Sequence, residues 1–76
     1  MLTYNIQLRK EDEGGYTVVV PALPGCITYG ETVDKAIEMA KEAIELYVEE
    51  LTERGEPIPD DSHTLEFSIH VEAVWT

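Results

Sequence analysis

Hydrophobic and polar residues alternate in two stretches of the chain, one near each end. Every second residue is apolar from Leu2 to Arg9, and the same period returns from His63 to Trp75. That period is typical of a β-strand with one face buried and one face in water. Between them, Tyr16–Val20 is rich in β-branched residues and follows a charged loop with two glycines at residues 11–15. It predicts a second strand, paired antiparallel with the first.

The middle of the chain combines a turn, a short strand and the start of a helix. Pro24 and Gly25 occupy the two central positions of a predicted type II turn, because proline presets a negative φ and glycine accepts a positive one. Residues 26–29 are predicted to form a third strand. Thr32 is the predicted N-cap of a helix that begins at Val33 and ends near residue 54.

These elements occur in the order βββαβ and predict an α+β fold. The first three strands run up, down and up, so a right-handed crossover through the helix brings the last strand parallel to the first. We expect a four-stranded mixed sheet with the spatial order 3-2-1-4. One helix covers the sheet face that carries Leu2, Tyr4, Ile6 and Leu8. The opposite face, left in water, carries Thr3, Asn5, Gln7, Thr17, Glu66, Ser68 and His70.

The predicted helix has three distinct sides. Its core stripe recurs at steps of three and four residues and consists of Val33, Ile37, Ala40, Ile44, Tyr47 and Leu51. The opposite side, which we call the acidic ridge, consists of Glu38, Glu42, Glu45, Glu49 and Glu53. The ridge is either a solvated helix face or a docking surface for a basic protein. Met39, Ala43 and Leu46 lie to one side of the stripe. Either a wide sheet or another protein chain covers them, or they are ordinary exposed apolar residues.

Charge and length narrow the range of functions. The 76 residues include 16 Asp or Glu and 5 Lys or Arg, a net charge of −11. Nucleic-acid binding depends on Lys and Arg at the phosphates, so this balance argues against direct DNA or RNA contact and favours a basic partner. So short a chain builds a small core, and we expect a homo-oligomer or a complex. No signal peptide or membrane span is recognisable, which predicts a cytoplasmic protein without a membrane partner.

No motif in the sequence predicts catalysis or metal binding. Cys26 is the only cysteine and has no nearby basic residue, so we expect a packed thiol and no nucleophile. His63 and His70 do not lie at a zinc-ligand spacing with Cys26. We therefore expect no enzyme activity, no metal and no cofactor. A divalent-metal nuclease that uses Glu66 or Glu72 is the weaker alternative.

One block of sequence is more specific than its surroundings. Residues 20–32 read Val-Pro-Ala-Leu-Pro-Gly-Cys-Ile-Thr-Tyr-Gly-Glu-Thr, and they are followed by Ala36 in the helix and by Pro57 and Pro59 beyond it. This block resembles the HicB-type antitoxin family, and the resemblance extends over nearly the whole chain. It implies a partial ribonuclease H-like fold of βββαβ order. Nucleases of that fold need an Asp on the first strand, which this chain lacks, so the resemblance implies a catalytically empty scaffold.

The resemblance also implies a function. HicB-type antitoxins bind HicA-type toxins, which are small basic proteins that cleave mRNA with a histidine, and block that activity. We therefore expect a type II antitoxin that occludes a basic HicA-like toxin. The ridge residues Glu38, Glu42, Glu45 and Glu49 would steer the toxin, with Met39 and Leu46 as apolar anchors. The motif residues that fix the backbone are Pro21, Leu23, Pro24, Gly25, Gly30 and Thr32.

The chain departs from the family pattern in three respects. Ala22 stands where an acidic residue is usual, and Lys35 stands where a glutamate usually completes a capping box with Thr32. Many two-domain relatives carry a DNA-binding segment after this domain. We expect residues 1–76 to be a single HicB-like domain with no separate DNA-binding domain. A self-assembling adaptor without a toxin is the alternative interpretation.

Overall fold

The computed structural model describes residues 1–74 and contains three strands and one helix. Strand β1 spans Gln7–Lys10, β2 spans Tyr16–Val19, β3 spans Ile27–Gly30, and helix α1 spans Val33–Glu53. The strands form one antiparallel sheet in the order β1-β2-β3. Helix α1 packs on one face of this sheet, mainly against β3 and β2. The α+β class, the first hairpin, the third strand and the helix are confirmed.

The first strand is shorter than predicted because β2 ends early. The Val20 N–H faces β3 and donates to the carbonyl oxygen of Cys26 at 3.0 Å, and Pro21, which follows, has no N–H to offer to β1. Pairing between β1 and β2 therefore stops at Gln7 and Val19. Residues 2–6 continue beyond the ladder without a β2 partner. Leu2, which we expected beneath the helix, is 46 % exposed.

The fourth strand that the sequence predicts is not formed in the described residues, and this part of the prediction is corrected. Within residues 1–74 the sheet has three strands, all antiparallel, and residues 64–73 belong to no strand, so the mixed sheet of order 3-2-1-4 does not form. The alternating pattern of this segment indicates a strand with one buried face, but it does not say which sheet edge pairs with it. Among the described residues of one chain, no sheet edge pairs with it. Trp75, the last residue of the predicted strand, lies outside the described residues.

The hydrophobic core consists of two small clusters. The first contains the buried residues Val18, Ala36 and Ala40, and the second contains Val20, Leu23 and Cys26. Ile6 packs against both clusters and so joins them. The helix residues Ile44, Tyr47 and Leu51 pack against the second cluster, as the core stripe predicts.

Ala40 is buried as the core stripe predicts, but two other members of the stripe, Val33 and Ile37, are not buried. Val33 and Ile37 are 45 % and 50 % exposed, whereas Ala36, which the stripe omitted, is fully buried. The helix lies over β3 and β2 rather than over β1, so its inward face is turned towards Ala36 and Ala40. That turn carries Ile37 out of the core and towards the β1 side.

The turn and the helix ends have the predicted geometry. The Cys26 N–H donates to the Leu23 carbonyl at 2.9 Å across a turn in which Gly25 has a φ of 79°. Thr32 caps the helix, its hydroxyl accepting from the Lys35 N–H at 3.0 Å. At the other end Gly55 has a φ of 68°, the left-handed conformation that ends many helices.

The helix approaches the sheet closely at Gly30. A Cβ built on Gly30 would lie less than 3.0 Å from the backbone of Ala36, so only glycine fits there. The backbone of Gly30 does not have a positive φ, so steric space rather than conformation requires the glycine. This contact fixes the height of the helix above β3.

We expect Gly30→Ala to lower the free energy of unfolding by about 1–3 kcal/mol, the usual cost of an overpacked core. Urea unfolding followed by far-UV circular dichroism measures the loss. The clash is with the backbone of Ala36, so adding Ala36→Gly should give no rescue. A double-mutant cycle with a favourable coupling above about 0.5 kcal/mol would contradict this explanation.

Candidate protein-binding surface

The acidic ridge lies on the outer side of α1 as predicted. Glu38, Glu42, Glu45 and Glu49 are all exposed. Glu38 is 3.6 Å from the ammonium nitrogen of Lys35 and forms an ion pair with it. In the part of the chain that the structure describes, the other members of the ridge have no ion pair within 4.0 Å. The ridge therefore keeps most of its negative charge available to a partner.

The ridge destabilises the free helix slightly. Its glutamates follow each other at steps of three and four residues, which brings like charges together on one helix face. Such pairs cost about 0.2–0.5 kcal/mol each, and salt weakens the repulsion. A cationic partner would relieve it. The arrangement is therefore unfavourable for the free chain and favourable for a complex with a basic protein.

An apolar patch borders the ridge on the side of β3. Leu46 is 68 % exposed and Ile27 is 62 % exposed, and both line a shallow pocket of about 320 Å³ together with Ala43 and Tyr47. We call Leu46, Ile27 and Ala43 the β3-side patch. Met39, the second predicted apolar anchor, is half-buried. The patch and the ridge are adjacent on the helix, so one partner could contact both.

A larger apolar groove, which the sequence analysis missed, borders the ridge on the side of β1. Its volume is about 800 Å³, and it separates the first residues of the chain from the outward-turned side of α1. We call it the β1-side groove, and its apolar walls are formed by Leu2, Tyr4, Ile6, Ile37, Ile44 and Val48. Lys41, Glu45 and Glu49 also line it. An apolar Ile37 on this side of the helix could have indicated the groove from the sequence. The groove was not predicted, because the expected fourth strand would have filled this space.

The chain beyond the helix returns to the first residues and is held there by hydrogen bonds. The Thr3 N–H donates to an Asp60 carboxylate oxygen at 3.1 Å, and the Asp61 N–H donates to the Thr3 carbonyl at 2.7 Å. The Asn5 N–H donates to an Asp61 carboxylate oxygen at 2.8 Å. We call this contact between residues 59–64 and residues 3–5 the terminal clip. Asn5, which we expected in water, is half-buried there.

The clip perturbs two titratable groups. The hydrogen bond from the Thr3 N–H, followed by that from the Ser62 hydroxyl, lowers the pKa of the Asp60 carboxyl below its ordinary value. The Tyr4 hydroxyl donates to the Pro59 carbonyl at 2.6 Å. Burial, and then the negative charges of Asp60 and Asp61, raise the pKa of Tyr4. The clip therefore favours a charged Asp60 and a neutral Tyr4.

In the part of the chain that the structure describes, Cys26 and the carboxylates of the C-terminal segment do not converge on one site. Cys26 is buried in the second core cluster, and burial raises the pKa of its thiol, which makes it a poor nucleophile. No three His, Cys, Asp or Glu side chains of residues 1–74 lie close enough together to hold a metal ion. Glu66 and Glu72 are exposed on the unpaired C-terminal segment. No helix in the same residues is long and apolar enough to cross a lipid bilayer.

Residues 4–73 match the family model described as the HicB-like antitoxin of bacterial toxin-antitoxin systems. The chain belongs to the HicB-like antitoxin family. The resemblance recognised in residues 20–32 is therefore confirmed. Among curated proteins, this HicB-like chain is 42 % identical over 69 residues to UPF0150 protein Ta0767 of Thermoplasma acidophilum, covering 91 % of this chain and 99 % of that protein.

Proteins named as HicB antitoxins are longer. Antitoxin HicB of Escherichia coli is 34 % identical over 76 residues, which covers 92 % of this chain and 55 % of the relative. The crystal structure of Burkholderia pseudomallei antitoxin HicB superposes with a TM-score of 0.68 and 38 % identity, covering 93 % of this chain and 48 % of that chain. This HicB-like chain thus spans about half the length of both.

The separate structure of the N-terminal domain of Burkholderia pseudomallei antitoxin HicB also matches. It superposes with a TM-score of 0.65 and 38 % identity, covering 90 % of this chain and 72 % of that one. The arrangement of three antiparallel strands and one helix is therefore similar to the N-terminal domain of that antitoxin.

We expect Asp60→Asn to reduce the acid sensitivity of this HicB-like protein. A carboxyl whose pKa is lower in the folded state stabilises that state above its unfolded pKa, and the contribution is lost as the pH falls below about 4. The free energy of urea unfolding, measured between neutral and acid pH, should fall less steeply in the variant. Asp12→Asn, in the exposed β1–β2 loop, controls for the lost charge. If the free energy of unfolding falls equally steeply with pH in the wild type and in Asp60→Asn, the clip does not have this role.

Proposed function

We propose that this HicB-like protein is the antitoxin of a type II toxin-antitoxin system and occludes a small basic HicA-like mRNA endoribonuclease. The main support for this proposal is that the exposed acidic ridge lies next to the exposed β3-side patch on α1. The chain that carries these two surfaces belongs to an antitoxin family. Charge of one sign beside an apolar patch fits a complementary protein surface better than it fits a small substrate.

The two surfaces have separate roles in the proposal. Glu38, Glu42, Glu45 and Glu49 attract the basic toxin and raise the rate of encounter, because fields from exposed charges act at a distance. Leu46 becomes buried in the complex and slows its dissociation, as apolar anchors do. Met39 has the same role with less surface to contribute, since it is already half-buried.

Inhibition in this proposal requires binding and no catalysis. The antitoxin is not an enzyme, and it works in the cytoplasm, where the toxin meets mRNA. The scaffold is a partial ribonuclease H-like fold in which the first strand and its extension carry no carboxylate at their outward positions. Those positions are Thr3, Asn5, Gln7 and Arg9.

The charge prediction is tested with Glu42→Lys/Glu49→Lys. Each change replaces two repulsive neighbour pairs by attractive ones, so the free protein should gain on the order of 2 kcal/mol of stability. Association with the basic toxin encoded in the adjacent reading frame, its histidine replaced, should slow about tenfold at low salt. The rate should also lose much of its salt dependence. Stopped-flow fluorescence measures both.

The control reverses the same number of charges elsewhere. Asp12→Lys/Glu13→Lys changes the net charge equally in the exposed β1–β2 loop, and it should slow association much less. Equal slowing by both double variants would show that net charge, and not the ridge, attracts the toxin. Failure of the wild-type protein to bind the neighbouring basic protein would favour the self-assembling adaptor.

The apolar prediction is tested separately with Leu46→Asp. This change should raise the dissociation rate about tenfold or more with little effect on the association rate, because it introduces a charge into the buried part of the interface. Thr52→Asp, exposed on the same helix outside the patch, is the control. An unchanged dissociation rate in Leu46→Asp would remove the patch from the contact.

A further inference from the structure

The C-terminal segment carries an apolar face that no other part of residues 1–74 buries. Leu65 and Phe67 are each 81 % exposed, and Ile69 and Val71 are each 83 % exposed. They alternate with Glu66, Ser68, His70 and Glu72, so all four apolar side chains share one face of an extended chain. Single exposed apolar residues are ordinary, but four aligned on one strand face indicate an interaction site.

This segment makes the molecule elongated. The radius of gyration is 15.0 Å, whereas a compact chain of this length has about 11 Å. The longest dimension is 50 Å, well beyond the length of about 32 Å that a 21-residue helix accounts for. The segment begins at the terminal clip, where the Asn5 side-chain amide donates to the Thr64 carbonyl at 3.5 Å. Beyond Thr64 it leaves the body of its own chain.

The body of the chain offers a matching place. The edge of β1 that faces away from β2 has no strand partner in residues 1–74, and the β1-side groove lies along residues 1–6, which lead into β1. Along α1 the groove extends from Ile37 to Val48, about 17 Å, which a strand of five or six residues spans. Such a strand presents three side chains to one face. Residues 65–71 have the length and the apolar alternation to fill it.

We propose that residues 65–73 of a second copy of this chain pair with the free edge of β1 and fill the β1-side groove, reciprocally, to form a closed dimer. The exchange gives each four-stranded sheet the strand that one chain does not supply for itself. It also covers both unpaired β1 edges, which are otherwise open to uncontrolled association.

The proposed interface is large enough for a specific dimer. Two exchanged segments and the two groove surfaces that they cover bury on the order of 1,600 Å², which is the size of a standard specific interface. Each chain carries a net charge of −11, so the two copies repel each other. The contact must therefore be held by apolar burial and strand pairing. Salt should strengthen it, whereas salt should weaken binding of the proposed basic toxin.

The first test is the mass in solution. Light scattering after size-exclusion chromatography should give twice the chain mass, and more dimer as salt is raised. Phe67→Asp/Ile69→Asp should weaken dimerisation about 100-fold or more, because it places charges in an apolar groove. Helical circular dichroism should be unchanged, since neither residue packs against the core. Ser68→Asp/His70→Asp, on the opposite face, is the matched control and should remain dimeric.

The second test separates exchange between chains from docking within one chain. Leu2→Asp/Ile37→Asp damages the groove at two residues that are 46 % and 50 % exposed, so its fold should persist. This variant and the Phe67→Asp/Ile69→Asp variant should each be monomeric alone. Mixed, they should form a one-to-one heterodimer, because one intact segment then meets one intact groove. Docking within one chain predicts no such complementation.

Three outcomes would overturn the proposal. A wild-type dimer that survives Phe67→Asp/Ile69→Asp must use another surface. A wild-type monomer whose residues 65–73 are protected from amide hydrogen exchange must fill its own groove. A monomer whose groove becomes protected only when the basic toxin is added must use the groove for that partner. The dimer and the toxin complex are measured separately, so either can fail without the other.

Discussion

The contact between α1 and β3 at Gly30 determines which surfaces this protein exposes. The backbone of Ala36 lies so close to Gly30 that no side chain fits between them, and the helix is thereby held over β3 and β2. A helix of one width cannot also cover β1 and the residues before it. The sheet is therefore covered at one edge and open at the other, and the open side becomes the β1-side groove.

The helix in this position separates two apolar surfaces by a line of negative charge. The β3-side patch lies on one flank, the β1-side groove lies on the other, and the acidic ridge lies between them. A partner attracted by the ridge meets apolar surface on either side. The two proposals divide these surfaces: the patch and the ridge serve a basic protein, and the groove serves a second copy of the chain.

Local features were predictable from the sequence because neighbouring residues determine them. The turn at Pro24-Gly25, the cap at Thr32 and the length of α1 depend on backbone preferences within a few residues, and all are confirmed. The rotation of the helix was not predictable, because it depends on the space that Gly30 leaves for Ala36 across the sheet. Ala36 and Ile37 are both apolar, so helix periodicity alone does not decide which of them faces the core.

Features between distant residues were missed or misassigned. The terminal clip joins Thr3 to Asp60 through a backbone N–H that carries no sequence signature. The strand pattern of residues 65–73 predicts a strand with one buried face, but periodicity does not indicate which sheet edge would pair with it. The ridge was predictable because helix periodicity alone determines which side its glutamates share. The groove was missed because the fourth strand was expected to fill this space.

The terminal clip also affects the order in which the chain can mature during synthesis. Residues 3–5 leave the ribosome well before their hydrogen-bond partners at residues 59–64. The first wall of the groove is therefore not secured until residues 59–64 have also emerged, and closing so long a loop is entropically costly until the core has formed. A nascent chain that has not yet exposed residues 59–64 thus lacks a completed groove.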